Sequence, residues 1–151
     1  MFVRDKMEKD YLPIFRAPYK IGTTIWSPLN SGILTGKYNK GIPEGSRLAQ
    51  KNYHDMLKKN LENIPKVIEL EEVAKKIGCT VANLALAWCV VNQNVSTVIL
   101  GASNVQQLKD NLECLSVVPK LTPEVLESIE AILKNKPAQE MTYGREFNNH
   151  L

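Results

Sequence analysis

Residues 94–111 read NVSTVILGASNVQQLKDN, an apolar run that breaks at a glycine and restarts as a helix. Val95 to Leu100 is rich in β-branched residues and lies between Asn94 and Gly101, the pattern of a buried strand. A helix is predicted to begin after Ser103 and to run to about Leu115. A second β-type run, Ile21 to Trp26, ends in the same way, with small and polar residues after its last apolar position. Strand, turn and helix in that order is the unit from which α/β folds are built.

Between the two runs the period is helical. Val67, Leu70, Val73, Ala74 and Ile77 recur at three- and four-residue spacing over Lys66 to Ile77, and Gly78 stops that helix. Thr80 is the expected N-cap of a second helix with Val81, Leu84, Ala85, Trp88 and Val91 on one side, ending near Asn92 to Asn94. The last helix opens with Thr122-Pro123-Glu124: a cap, a proline at the first helical position and an acid against the macrodipole. Its apolar face is Val125, Leu126, Ile129, Ile132 and Leu133. Residues 31–60, interrupted by Gly32, Gly36, Gly41, Pro43 and Gly45, read as a long functional loop. The order is strand, long loop, two helices, strand, helix, helix. Two parallel-type strands do not make a complete sheet, so each should leave a backbone edge unpaired, as in a fragment of a larger fold.

Composition narrows the partners. Over 151 residues, 44% hydrophobic and 23% charged residues describe globular material. A net charge of +3, from 19 Lys and Arg against 16 Asp and Glu, is too small and mixed to imply a nucleic acid. No apolar run reaches the roughly 18 residues of a membrane span, and the charged start MFVRDKMEKD is unlike a signal peptide. Cys79, Cys89 and Cys114 form no CxxC, which signals neither a disulfide framework nor a metal site. A cytoplasmic location without membrane insertion is the expectation.

Two segments could carry chemistry. At Gly101 the backbone can approach a ligand closely, Ser103 offers a hydroxyl, and the following helix start favours an anion; equally, a Ser or Asn there serves as a plain N-cap. Trp26, at a strand end, could wall a flat ring or pack in the core. Lys37 and Arg47 flank the loop Gly41-Ile42-Pro43-Glu44-Gly45-Ser46 and could close over a phosphate or stay solvated.

The blocks WSPLNSGILTGKYNKGIPEGSR from Trp26, LALAWCVVNQNVSTVILGASNVQQLKDNL from Leu84 and VVPKLTPEVLESIEAIL from Val117 resemble the C-terminal half of aldo-keto reductases. The nearest branch holds the voltage-gated potassium-channel β-subunits and their reductase relatives. The resemblance runs from residue 1 to about 137, leaving 138–151 as a tail. It implies the C-terminal portion of a (β/α)8 TIM barrel, carrying strands seven and eight with their helices. It also implies NADP(H) as cofactor. Trp26, Ser27, Pro28, Leu29, Asn30 and Ser31 would line the nicotinamide and pyrophosphate path, with Lys37 and Arg47 holding phosphates. Gly101, Ser103 and Gln107 would meet the adenosine-phosphate end, and Asp110 and Asn111 the adenine and its ribose; Asp110 stands where relatives often carry Glu.

The family's catalytic tyrosine, lysine, aspartate and histidine come from the other half of its barrel. Tyr11, Tyr19, Tyr38, Tyr53, Tyr143, His54 and His150 match none of those motifs, so no catalytic residue is expected in this chain. The resemblance implies a parent that reduces aldehydes or ketones to alcohols. The alternatives are a cytoplasmic channel β-subunit bound to potassium-channel α-subunits, with homo-oligomers in view, and a truncated fragment without activity of its own.

Overall fold

Capping chemistry starts the helices where the sequence marks them. In the computed structural model, which describes residues 1–16, 18–53 and 59–138, Thr80 accepts a hydrogen bond from the Asn83 N–H at 3.1 Å and Thr122 one from the Val125 N–H at 3.4 Å. Each satisfies an amide that the first helical turn leaves orphaned. Gly78, at φ 69°, takes the left-handed conformation that ends the preceding helix.

Among the described residues the strands are β1 (Thr23–Ile25) and β2 (Val95–Val98). The α-helices lying wholly among the described residues are α1 (Leu12–Phe15), α2 (Ile64–Lys76), α3 (Val81–Val90), α4 (Val105–Leu112), α5 (Cys114–Val117) and α6 (Pro123–Leu133). A π turn covers Lys6–Asp10. The expected long loop is not featureless: 3-10 turns form at Asn30–Thr35, Arg47–Ala49 and Lys51–Tyr53.

β1 and β2 pair in parallel, Thr23 with Val95, Thr24 with Thr97 and Ile25 with Val98, with an irregularity between Thr23 and Thr24. The pairing is extended at both ends, where the Thr23 N–H donates to Asn94 O at 2.9 Å and the Ile99 N–H to Ile25 O at 2.8 Å. The parallel relation agrees with the sequence, but both strands are shorter than the predicted runs Ile21 to Trp26 and Val95 to Leu100. They are not buried either. Thr24, Ser96 and Thr97 are exposed and the remaining strand residues half-buried, because helices cover only part of this two-stranded sheet.

The core is instead helical. Val67, Leu70 and Ala74 of α2, Leu84 to Ala87 of α3, Val117 of α5 and Ile129 and Leu133 of α6 are buried together with Ile33, Leu34, Tyr38 and Leu48 from the long loop. α3 therefore differs from the one-sided helix predicted for it. It is apolar and enclosed around nearly its whole circumference, as a central helix must be, while Trp88 is half-buried and Val91 exposed.

Arg4 ties the chain's first residues to its last helix. Only 7% exposed, its guanidinium pairs with Glu8 and with Glu130 of α6, each at 2.6 Å, and lies 5.1 Å from the Trp88 ring centroid. Asn135 Nδ2 adds bonds to the carbonyls of Met1 at 2.9 Å and Phe2 at 3.1 Å.

Candidate functional site

Parallel pairing sends both strands out of the sheet at the same end. Ile25 and Val98 are register partners, so the segment after β1 and the turn after β2 leave side by side. These are the two segments singled out from sequence, and they approach from opposite ends of the chain's central half.

The segment after β1 is held in a costly backbone conformation. Ser27, Asn30 and Ser31 have φ of 50°, 48° and 56°, followed by Gly32 at 92°. Three non-glycine residues in the left-handed region within five positions are uncommon, and such clusters concentrate at ligand-binding sites. The turn is braced from below: the 3-10 turn Asn30–Thr35 packs on α2 and α3, Ile33 and Leu34 are core residues, and Asn30 Nδ2 donates to Asn60 Oδ1 at 3.4 Å. Pro28 and Leu29 are half-buried. Trp26 is 80% exposed, so the core-packing role open to it in sequence is not the one it takes.

After β2, the chain opens into the Gly101 turn, where a Cβ would meet nothing within 4 Å. Asn104, not Ser103, caps α4, accepting from the Gln107 N–H at 2.9 Å. The Ser103 amide and hydroxyl both donate to Gln107 Oε1 at 2.9 Å, and Asp110 accepts from Gln106 Nε2 at 2.7 Å. Asn111 is the buried member of the group, its Nδ2 directed to Gly101 O at 3.4 Å. Ser103, Gln107 and Asp110 are exposed, and the bonds that occupy them join near neighbours on one surface.

The two cations of the loop rest on aromatic rings. Lys37 Nζ is 5.1 Å from the Tyr38 centroid and the Arg47 guanidinium 5.6 Å from that of Tyr53. Both cations are exposed. Lys37 also reaches back to Gly32: a Cβ built there would lie 3.1 Å from Lys37 Cε and 3.3 Å from Nζ. A side chain at position 32 would push this lysine away from the strained turn.

The cap that the sequence left open between a Ser and an Asn falls on Asn104; Asn60 is not singled out by sequence, because the Asn30–Asn60 bond spans the loop and has no local signature. Tyr11 and Tyr19 are exposed, Tyr53 is half-buried, and the Tyr38 hydroxyl is enclosed in the core without a hydrogen-bond partner. Tyr143, His54 and His150 lie outside the described residues. Burial holds the thiols of Cys79, Cys89 and Cys114 above their ordinary range, which suppresses thiolate chemistry. Among the described residues no cluster of three metal-ligating side chains occurs, and no single helix is long and apolar enough to cross a membrane.

The sequence profile of the aldo/keto reductase family matches residues 1–134. Among curated proteins, a probable voltage-gated potassium channel subunit beta from Arabidopsis thaliana is 45% identical over 146 residues, covering 95% of this chain and 44% of the relative. One of the same description from Oryza sativa subsp. japonica is 44% identical over 146 residues, with the same coverage. A putative voltage-gated potassium channel subunit beta from Schizosaccharomyces pombe is 45% identical over 148 residues, covering 94% of the chain and 42% of the relative. The chain thus spans under half the length of these relatives. With a family profile matched over most of its length, and with the parallel β/α units that such a barrel requires, the chain belongs to the aldo/keto reductase family.

Proposed function

We propose that this chain supplies much of the NADP(H) site of an aldo-keto reductase, residues 1–137 being the C-terminal half of its (β/α)8 barrel and β1 and β2 its seventh and eighth strands. The observation that carries the reading is the convergence, at one end of a parallel pair, of a strained polar turn with an open glycine turn that leads into a helix N-terminus. Open α/β folds bind ligands at that end of their strands, and barrels concentrate phosphate sites after the last two.

In this reading Trp26 to Ser31 contact the nicotinamide and pyrophosphate, and Lys37 and Arg47 leave their aromatic supports to hold phosphates. Gly101, Ser103 and Gln107 take the adenosine-phosphate end. Asp110 lies near the ribose, while Asn111, turned onto Gly101 O, acts by shaping the turn. The bound cofactor supplies hydride chemistry. The parent protein passes a hydride to the carbonyl carbon of an aldehyde or ketone, with a proton delivered to the oxygen by a general acid from the rest of the barrel. This chain alone binds without turnover.

Titration with NADPH, following Trp26 emission in a Trp88→Phe background, tests the assignment. Trp26 stands exposed at the proposed nicotinamide end, whereas Trp88 lies under Arg4. Saturable quenching with a raised melting temperature is the expected result. Arg47→Ala and Lys37→Ala should each weaken NADPH about tenfold, the loss of one charge-assisted contact. Unchanged fluorescence and melting across millimolar NADPH would count against the reading.

A second reading has support in the relatives, which are described as probable or putative channel β-subunits. In it the same cofactor site belongs to a cytoplasmic regulatory subunit that joins potassium-channel α-subunits. Co-purification of the parent protein with channel subunits, together with slow aldehyde turnover, would favour it.

A further inference from the structure

α2 and α3 meet at an elbow of 85°. The turn brings opposite helix ends together, the partly negative carbonyl end of α2 and the partly positive amide end of α3. A cleft of about 490 Å³ opens there, lined in part by Lys75, Cys79, Asn83, Glu113 and Val117. Asn83 is only 8% exposed, and its backbone N–H donates to Thr80 Oγ1, but its side-chain amide bonds to none of the described residues. A polar side chain buried that far ordinarily has a partner, and the cleft is where one can reach it. The first amides of α3, those of Val81 and Ala82, have no acceptor within the helix. The carboxylate of Glu113 is exposed and pairs with no cation among the described residues. The two lysines nearby are engaged, Lys75 Nζ with Glu72 at 2.7 Å and Lys120 Nζ with Ile77 O at 3.1 Å.

We propose that the elbow cleft binds a free α-amino acid with a small aliphatic side chain. Its carboxylate lies on the N-terminal amides of α3 and on Asn83 Nδ2, its ammonium on Glu113, and its side chain against Cys79 and Val117. The charges of the cleft select this class. A simple carboxylate or phosphate is drawn to the helix start but meets Glu113 as a like charge, and a simple amine is drawn to Glu113 but meets the positive helix end. A zwitterion answers both, with its two charges only a few bonds apart. An amide is suited to lie between them, since it donates to a carboxylate through nitrogen and accepts from an ammonium through oxygen. The cleft holds none of the residues assigned to NADP(H), so the proposal stands apart from the cofactor reading.

The test titrates the chain with L-valine and follows the amides by two-dimensional NMR. Saturable shifts at the Ala82 and Asn83 backbone amides and at the Asn83 side-chain amide, in the millimolar range, are the expected result. Isobutyrate and isobutylamine each carry one of valine's two charges and should bind about tenfold more weakly, the loss of one charge-assisted contact. A melting temperature raised by L-valine and not by isobutyrate gives the same reading by a second route. Asn83→Asp keeps the size of the side chain and suits a helix start, so it should melt no lower than the unaltered chain while losing valine. Glu113→Gln should weaken valine about tenfold and leave isobutyrate no weaker. The proposal is overturned if L-valine produces neither saturable shifts nor a raised melting temperature, or if Asn83→Asp binds it as before. It is also overturned if isobutyrate binds as tightly as valine and Glu113→Gln changes neither, which would make the cleft a plain anion site.

Discussion

Gly22 lies directly against the side chain of Ser96 on the neighbouring strand. A Cβ there would collide with Ser96 Oγ and lie 3.1 Å from Ser96 Cβ. Gly22→Ala forces the exposed Ser96 hydroxyl to rotate and should cost about 1 kcal/mol or less, the low end of overpacking, with part recovered by Ser96→Ala; urea midpoints of the two variants check this. The buried thiol of Cys89 carries a pH dependence. Burial raises it above the ordinary value of 9.0, so the folded chain keeps a proton that the unfolded chain releases. Its contribution is fully present below about pH 9 and is lost as pH rises through the folded value. Denaturation midpoints between pH 7 and 10.5 should fall with pH, and less steeply in Cys89→Ala. Neither effect can be read from the neighbours of Gly22 or Cys89 in sequence, because each depends on atoms from a distant segment.

Helices were the more legible elements. α2 starts and stops within two residues of the expected bounds because its signals are local: an apolar period and Gly78 at the end. α6 begins at its cap for the same reason. Thr80→Ala should destabilise by about 1 kcal/mol, and Leu84→Ala, in the fully enclosed α3, by about 2–5 kcal/mol; thermal melts with circular dichroism separate the two. The face that α3 presents was less legible. Its residues are nearly all apolar, and where period is weak only the packing of neighbours decides what is covered. The strands were over-read, since pattern marks residues fit for a buried strand, while ladder length depends on partners.

Across the whole molecule, the described ends of the chain are clamped together by Arg4. Replacing Arg4 with Ala leaves Glu8 and Glu130 unpaired and uncovers Trp88. The cost should be about 2–3 kcal/mol, somewhat below that of a fully buried pair, because both carboxylates remain about a quarter exposed. A lower urea midpoint, with faster proteolysis near the start of the chain, is the expected outcome. The other end of the architecture is open. Among the described residues, a core made of helices and loop lies beside a two-stranded sheet, and Val105, Leu108, Leu112 and Leu115 stay exposed, which is consistent with part of a barrel.

Local chemistry written in the chain sufficed for the helix caps, the terminating glycine, the parallel character of the two strands and the family. It also marked both candidate segments, because a glycine turn before a helix and a polar stretch after a strand are short-range patterns. Tertiary packing turned Trp26 outward, drew Asn111 under Gly101 and set Arg4 against Glu130 as well as Glu8. These outcomes rest on contacts between residues apart in the chain, which have no period or spacing in sequence.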